Sequence, residues 1–210
     1  MIAVIFDLEL MKRFRKGQPS EIVEIGACKV DLQSRSITDQ FQVYITPKRG
    51  QISKSTRKFI KMSEEDTKKA VPFNIGIEQF RKWLGTDEYY LCSWGKDDRA
   101  HFINQSVQYK IPLDWLVNYN DIQKPISKML SEDINNQIGL KNALNIAGIE
   151  LTGKSHRGID DAINTAALFI KFLDRFDLEK NSLSEKEIKL HYKKYKRSRF
   201  RHLESVTKKV

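Results

Sequence analysis

The chain has 210 residues, of which 40% are hydrophobic and 30% are charged. This is enough apolar material for the core of one full domain, which argues against extensive disorder. The longest apolar run covers six residues, far short of the roughly 20 that span a bilayer, so no membrane association is expected. Cys28 and Cys92 lie in apolar strand-like runs, which favours buried thiols and a cytoplasmic location over a disulfide.

The formal net charge of +10 is concentrated at the C-terminus. Residues 179–210 contain 11 Lys/Arg and 4 Asp/Glu, a net charge of +7, and the preceding 178 residues carry the remaining +3. A basic tail suits a polyanionic partner such as nucleic acid. A solvated helix whose charge only aids solubility would have the same composition.

The first quarter of the chain is predicted to form three strands in a meander. Residues 2–9 are an apolar run that ends in charge, and residues 21–30 and 36–46 continue with strand-like patterns. Residues 31–35 are predicted to form the hairpin connection between the last two strands.

The rest of the body alternates between strands and helices. Residues 89–94 and 115–123 are predicted to be the fourth and fifth strands. Helical patterns are predicted from Ser63, before Gly85, over residues 98–109, near Pro125, and around residues 140–147 and 159–170. This order predicts an α/β fold, with a mixed five-stranded sheet flanked by helices.

The tail is predicted to form a basic C-terminal helix that begins after Asn181, where Ser184 and Glu187 fit a capping box. Its apolar residues form an approximate one-sided stripe, and a helix that packs this stripe on the body is favoured over a free arm. The stripe contains Ile188, Tyr192, Tyr195, Leu203 and Val206.

The acidic end of the first strand is the first candidate site. Asp7 and Glu9 are two residues apart, so they project to one face of the strand while Leu8 points to the other. Neighbouring carboxylates repel each other unless a cation lies between them, and carboxylate oxygens are preferred ligands of Mg²⁺ and Mn²⁺. By itself, this pattern more often marks a strand that simply ends in solvent.

Further acids and a histidine lie at the starts of predicted helices. Asp97 or Asp98 could be a site residue or a helix cap, and Asp160 and Asp161 are equally ambiguous. His156 is either an exposed loop residue or, near a metal-bound water, a general base. An unperturbed imidazole has a pKa of about 6.5 and can accept a proton near neutral pH.

Four motifs occur in order along the body. They are Phe6-Asp7-Leu8-Glu9, Glu21-Ile22-Val23-Glu24-Ile25-Gly26-Ala27, Ser93-Trp94-Gly95-Lys96-Asp97-Asp98 and His156-Arg157-Gly158-Ile159-Asp160-Asp161-Ala162. Together they resemble the DEDDh family of 3′→5′ exonucleases, the DnaQ-like branch of the ribonuclease-H-like superfamily. The resemblance covers residues 1–176, an exonuclease domain, and leaves residues 177–210 as a basic helical extension. The Trp-Gly-x-x-Asp segment is most similar to that of the KapD and histone-mRNA exonuclease group.

The resemblance implies a ribonuclease-H-like fold and a specific set of site residues. The metal ligands would be Asp7, Glu9, Asp98 and Asp161, and the general base would be His156. Two divalent cations, Mg²⁺ or Mn²⁺, would serve the hydrolysis of single-stranded RNA or DNA. The reaction would proceed from the 3′ end and release nucleoside 5′-monophosphates.

The resemblance also places Leu10 and Met11 beside the terminal nucleotide of the substrate. Ordinary core packing is an equally good explanation of these two apolar side chains. The family often has Thr at the position of Met11, so this chain departs from the family pattern where the terminal nucleotide would be contacted.

Two other kinds of function fit the same fold. A non-catalytic nucleic-acid-binding protein would not need the complete set of four acids and one histidine. An accessory or proofreading subunit would use the tail helix to bind a polymerase or ribonucleoprotein partner. The tail aromatics could instead stack on bases of single-stranded nucleic acid; these are Tyr192, Tyr195 and Phe200.

Overall fold

The N-terminal apolar run forms the central strand of the sheet, β1 (Ile2–Leu10). The computed structural model describes residues 1–11, 20–48, 50–131, 137–175 and 177–193. β1 pairs antiparallel with β2 (Ile22–Asp31), which pairs antiparallel with β3 (Ser36–Thr46). The three-stranded meander therefore forms as the sequence predicts.

Three further strands complete a mixed sheet within the described residues. They are β4 (Val71–Pro72), β5 (Tyr89–Ser93) and β6 (Tyr119–Asp121), and the strand order is β4-β3-β2-β1-β5-β6. β1 pairs in parallel with β5, and β5 pairs in parallel with β6. The α/β architecture with a mixed sheet is confirmed.

The predicted number of five strands is wrong by one. β4 pairs in parallel with Ile45 and Thr46 at the edge of the sheet and brings the count to six. A strand of two residues that includes a proline has no alternating pattern for the sequence to display. The fifth predicted strand, residues 115–123, is shorter in the structure, where it corresponds to β6.

Helices cover both faces of the sheet. In the described residues they are α1 (Lys54–Phe59), α2 (Glu64–Lys68), α3 (Phe73–Leu84), α4 (Asp97–Tyr109), α5 (Gln123–Leu130), α6 (Leu140–Ile146), α7 (Gly158–Phe172) and α8 (residues 185–193). The predicted helix start at Ser63 is confirmed, because Ser63 and Asp66 form a complete capping box for α2. No helix in these ranges is both long and apolar enough to cross a membrane.

Alternate residues of β1 pack into two different hydrophobic cores. Val4 and Phe6 contribute to a core that includes buried residues of α3 and α4. Ala3 and Ile5 face the opposite side and pack with buried residues of α6 and α7. Since strand side chains alternate, the residues that continue the row of Ala3 and Ile5 are directed to the side of α7.

A third, smaller core packs residues 51–70 against the end of the meander. Ile52, Ile60 and Met62 are buried there with Val23 and Tyr44. The register between β1 and β2 shifts after Glu9, which leaves Val23 as an extra residue in β2. This bulge lets Val23 enter the third core.

The described part of the tail packs on the body through polar groups and through Leu178 and Leu183, which lie against the two larger cores. Asn181 forms two hydrogen bonds with Tyr119, of 3.0 and 2.8 Å, at the free edge of β6. In α8, Glu187 forms an ion pair with Arg99 and His191 Nδ1 lies 3.0 Å from Asn104 Oδ1, and both partners belong to α4. The predicted stripe residues Tyr195, Leu203 and Val206, together with Phe200, lie outside the described residues.

Candidate active site

The carboxylates of Asp7 and Glu9 project from the end of β1 toward α7. They continue the row of Ala3 and Ile5, whereas Leu8 packs into the core on the opposite face. Asp7 is half-buried, and Glu9 is 7% exposed. β1 extends beyond its parallel pairing with β5, which ends at Ile5, so this acidic end lies where ligands bind in open α/β sheets.

The turn between β5 and α4 brings Asp98 to the same place. Gly95 has a φ of +95° there, and its carbonyl accepts hydrogen bonds from the Ser93 hydroxyl at 2.6 Å and the Tyr119 hydroxyl at 2.8 Å. Asp98 is half-buried and accepts the backbone N–H of Leu8, whereas Asp97 is exposed. The structure therefore brings Asp98 to the cluster and leaves Asp97 at the surface.

The first turn of α7 reaches the sheet through two glycines. A Cβ atom on Gly26 of β2 would overlap the backbone of Gly158 and Ile159, and a Cβ on Gly158 would lie 3.1 Å from the Asp7 carbonyl oxygen. This approach puts Asp161, one turn into α7, beside Asp7. Asp160 instead accepts the backbone N–H of Lys154 at 2.8 Å and holds the preceding loop.

His156 lies at the rim of this cluster in a left-handed backbone conformation, with a φ of +64°. Its backbone N–H donates to Asp161 Oδ2 at 2.8 Å, and its imidazole stacks on the ring of Phe59. Glu9, His156 and Asp161 each offer one ligand atom, and these three atoms lie within 4.8 Å of one another.

The pKa values show that the four acids act on one another. Burial raises the pKa of Asp7 well above its usual range, and the charges of Asp98, Glu9 and Asp161 raise it further. Burial and then the Glu24 charge raise the pKa of Glu9 to about 8. Burial also raises the pKa of Asp98 and of Asp161. Asp7, Glu9, Asp98 and Asp161 therefore form one carboxylate cluster.

This donor set fits hard divalent cations. Carboxylate oxygens are the ligands that Mg²⁺ and Mn²⁺ prefer, and a cation would relieve the repulsion that raises these pKa values. Arg157 is the positive charge that lowers the pKa of Glu9, but its guanidinium is already bound by other groups.

Glu24 is a buried acid of the site to which the sequence assigns no role. It lies opposite Glu9 in the register of β1 and β2 and is 0% exposed. Its Oε1 accepts Gln42 Nε2 at 2.7 Å and the Ile159 N–H at 3.4 Å, so it binds the N-terminal end of α7. A charged residue between the apolar residues Val23 and Ile25 of a strand is the signal that could have identified it.

Arg157 is the second residue that sequence reasoning misses. Its Nη1 donates to the Lys61 carbonyl oxygen at 3.0 Å and to Asp66 Oδ2 at 3.1 Å, and its Nη2 donates to the Tyr44 hydroxyl. Its Nε lies 3.8 Å from Glu24 Oε2. Arg157 therefore ties the start of α7 to β2, β3 and the α1–α2 segment.

Leu10 and Met11, the predicted substrate contacts, are both partly buried beside the cluster. Leu10 packs against the core of α3 and α4, and Met11 packs against the third core. A cavity of about 570 Å³ opens on the other side of the cluster. Its lining includes Asp7, His156 and Asp161 together with Trp94, Leu140, Lys141 and Asn142.

Comparison with known proteins gives a family match over most of the body. The profile of the family described as Exonuclease (RNase_T) matches residues 4–169. ERI1 exoribonuclease 2 of Homo sapiens is 23% identical over 197 residues, which cover 82% of this chain and 28% of that protein. An exonuclease domain-containing protein of Arabidopsis thaliana is 25% identical over 73% of this chain and 50% of its own length. The chain thus spans less than a third of the human ERI1 exoribonuclease 2.

Solved structures share the fold. The nuclease domain of 3′hExo, described as a DEDDh family member bound to rAMP, has a TM-score of 0.74 and 22% identity, and covers 87% of this chain and 97% of that one. Cell-death related nuclease 4 has a TM-score of 0.69 and 17% identity, with 83% and 64% covered. Given the family match over residues 4–169, together with this fold, the chain belongs to the exonuclease family.

Proposed function

We propose that this exonuclease removes nucleotides from the 3′ end of single-stranded RNA or DNA and releases nucleoside 5′-monophosphates. One observation carries the proposal. Four acids from three separate elements, β1, α4 and α7, converge on one cluster, and a histidine stands at its rim. Residues 1–176 would form the exonuclease domain, and residues 177–210 would form its basic extension.

Asp7, Glu9, Asp98 and Asp161 would hold two divalent cations, Mg²⁺ or Mn²⁺. When bound, the cations supply charge neutralisation and Lewis acidity at the scissile phosphate. The raised pKa values support this assignment, since burial and mutual repulsion leave these carboxylates short of positive charge. S. pombe Pop2p, which shares the fold with a TM-score of 0.57, was solved with Mg²⁺ and Mn²⁺ bound.

His156 would act as the general base that takes a proton from the attacking water. One of its ring nitrogens lies within 4.8 Å of a carboxylate oxygen of Glu9 and of Asp161, so a water held between them would be within its range. The hydrogen bond from its backbone N–H to Asp161 couples the loop to the cluster. A positioned base of this kind contributes roughly 10²–10⁴-fold to the rate.

The substrate would enter with its 3′ terminal nucleotide beside Leu10 and Met11. The cavity next to His156 has a volume in the range typical of small-molecule sites, so it can hold one nucleotide of the strand. Solved structures of relatives support both RNA and DNA as substrates. One solved structure describes 3′-end specific recognition of a histone mRNA stem-loop by 3′-exonuclease, and another holds E. coli exonuclease I with a dT13 oligonucleotide.

The test uses 5′-labelled single-stranded RNA and DNA of the same sequence, with Mg²⁺, Mn²⁺ or EDTA. We expect a ladder that shortens from the 3′ end on at least one polymer and no cleavage in EDTA. Asp98→Asn should abolish turnover, and Asp97→Asn, its exposed neighbour, is the matched control that should retain it. His156→Ala should bind Mn²⁺ as the wild type does and lose most of the rate.

Other results would contradict the proposal. Products that shorten from the 5′ end, or cleavage inside the strand, would refute the direction. Tight binding of the labelled strand without cleavage under any metal would support the non-catalytic alternative. Equal activity of Asp98→Asn and the wild type would remove Asp98 from the ligand set.

A further inference from the structure

Phe59 covers the imidazole of His156. It is the last residue of α1, its ring centroid lies 4.4 Å from that of His156, and the two planes differ by 29°. Phe59 is 41% exposed, whereas its neighbour Ile60 is fully buried in the third core. Core packing therefore accounts for Ile60 but not for the direction of Phe59, which faces the site.

The segment that carries Phe59 is also fixed to the residue after His156. The Lys61 carbonyl and the Asp66 carboxylate both bind the Arg157 guanidinium, at 3.0 and 3.1 Å. The α1–α2 segment thus touches two consecutive residues of the loop, the ring of His156 and the side chain of Arg157. This double attachment gives the aromatic stack a rigid support.

The stack restrains the rotation of the imidazole. The hydrogen bond from the His156 N–H to Asp161 fixes the backbone, but it does not set either side-chain torsion. The approach of the imidazole to Glu9 and Asp161 requires one orientation of the ring. A flat apolar surface on one side of the ring selects that orientation, because stacked aromatic rings prefer a limited range of distances and angles.

We propose that Phe59 is a positioning residue for the general base, whose stacked ring holds the His156 imidazole toward Glu9 and Asp161. This inference rests on the proposed function, because it assumes that His156 is the base. Phe59 acts through His156 and does not touch the reacting atoms.

A spectroscopic test does not depend on activity. The ring current of Phe59 should move the carbon-bound imidazole protons of His156 upfield in the NMR spectrum. The protein has four histidines, and His156→Gln identifies the resonances by their disappearance. We expect Phe59→Leu and Phe59→Ala to abolish the upfield shift and Phe59→Tyr to preserve it.

The kinetic test compares the same variants. Phe59→Leu and Phe59→Ala should lower kcat by about tenfold to a hundredfold, less than the roughly 10²–10⁴-fold loss for removal of the base itself. KM and Mn²⁺ affinity should stay unchanged, and Phe59→Tyr should restore kcat. In the His156→Ala background, removal of the Phe59 ring should have no further effect, because the two residues act as one unit.

Three results would overturn the inference. They are an unchanged imidazole shift in a folded Phe59→Leu variant, a rise in KM with constant kcat, and rate losses that add in the double variant. The last two would assign Phe59 to stacking on a nucleobase. Ile75→Ala removes a side chain of similar exposure, 38%, on α3 and should change none of these readouts. Undiminished activity of His156→Ala would refute the base itself, and the NMR result would remain valid.

Discussion

At the scale of single residues, the carboxylate cluster should make stability depend on pH in an unusual direction. Folding raises the pKa of Glu9 from about 4.3 in an unfolded chain to about 8. Between these values the folded state binds the extra proton, so the stability contributed by protonated Glu9 is present below pH 4 and is lost as the pH rises through 8. In EDTA, the free energy of unfolding should therefore fall by a few kcal/mol from pH 5 to pH 8, at about 1.4 kcal/mol per pKa unit.

Denaturant titrations at pH 5 and pH 8, with EDTA or Mg²⁺, measure this effect. Mg²⁺ should stabilise the protein more at pH 8 than at pH 5, because protonated acids are poor ligands. Glu9→Gln should stabilise the metal-free protein at pH 8 and flatten the pH dependence, whereas Glu78→Gln on α3 should do neither. Equal pH slopes for Glu9→Gln and the wild type would argue against a raised pKa at Glu9.

The same residues show how far the sequence can predict the site. The four motifs predict Asp7, Glu9 and His156 as site residues, together with an acid at the start of each of two helices. Spacing cannot separate Asp97 from Asp98, because each helical residue turns the side chain by about 100° and helix starts are uncertain by a residue or two. The resemblance selects Asp98, and the packing of α4 then places Asp98 at the cluster and Asp97 at the surface. Glu24 escapes prediction because its partner Arg157 lies far from it in the chain.

At the scale of elements, the approach of α7 to the sheet determines where Asp161 lies. Gly26→Ala would push its Cβ into the backbone of Gly158 and Ile159. Because the Cβ would meet backbone atoms of α7 and not a flexible side chain, α7 must shift, and we expect a decrease of about 1–3 kcal/mol or more in unfolding free energy. The shift would also move Asp161 away from Asp7, so kcat should fall even at temperatures where the variant is folded.

Gly139→Ala is the stability control for this variant. A Cβ at Gly139 meets no atom within 4 Å, and the φ of −65° suits any residue. Its cost should stay within roughly 1 kcal/mol, the usual range for an alanine at a helix N-cap. Thermal unfolding and metal titration compare the two variants. If Gly26→Ala and Gly139→Ala have the same unfolding temperature and the same metal affinity, the close packing of α7 is not what positions Asp161.

Some strands are easier to predict from the sequence than others, for physical reasons. β1, β2 and β3 follow from apolar runs and a hairpin, which are local signals. The fifth strand was predicted too long because Trp115 and Leu116 are buried in the core, although they precede β6 and take no part in its pairing. A buried loop and a buried strand are both apolar in sequence, so the pattern of apolar residues cannot distinguish one from the other.

At the scale of the whole molecule, the described part of the tail leads away from the carboxylate cluster. Glu187 binds Arg99 in the first turn of α4, and His191, one turn later in α8, lies against Asn104 further along α4. α8 therefore runs in the same direction as α4, whose first residues include Asp98. Residues 194–210, which follow α8, contain seven Lys/Arg and one Glu. We expect phosphate contacts made by this segment to require a substrate that is several nucleotides long.

Deletion of residues 194–210 should weaken the binding of long substrates and spare short ones. The deletion lowers the formal net charge from +10 to +4, because it removes a net +6. For an oligonucleotide of twenty or more nucleotides, KM should rise, and the slope of log affinity against log salt should fall by about 0.7 for each phosphate that the tail no longer neutralises. For a dinucleotide, kcat/KM should not change. Steady-state kinetics over a series of salt concentrations measure both quantities.

A full-length variant with the same seven Lys/Arg replaced by Gln separates charge from packing. If the tail binds phosphates, this variant should behave like the deletion. If both variants keep the wild-type salt slope, the tail has a packing, solubility or partner-binding role, which includes the polymerase or ribonucleoprotein alternative. Deletion from Asn181 would confuse these outcomes, because Asn181 pairs with β6 and its removal exposes a sheet edge. The truncation should therefore begin after α8, so that it changes substrate binding and leaves the contacts of Asn181 intact.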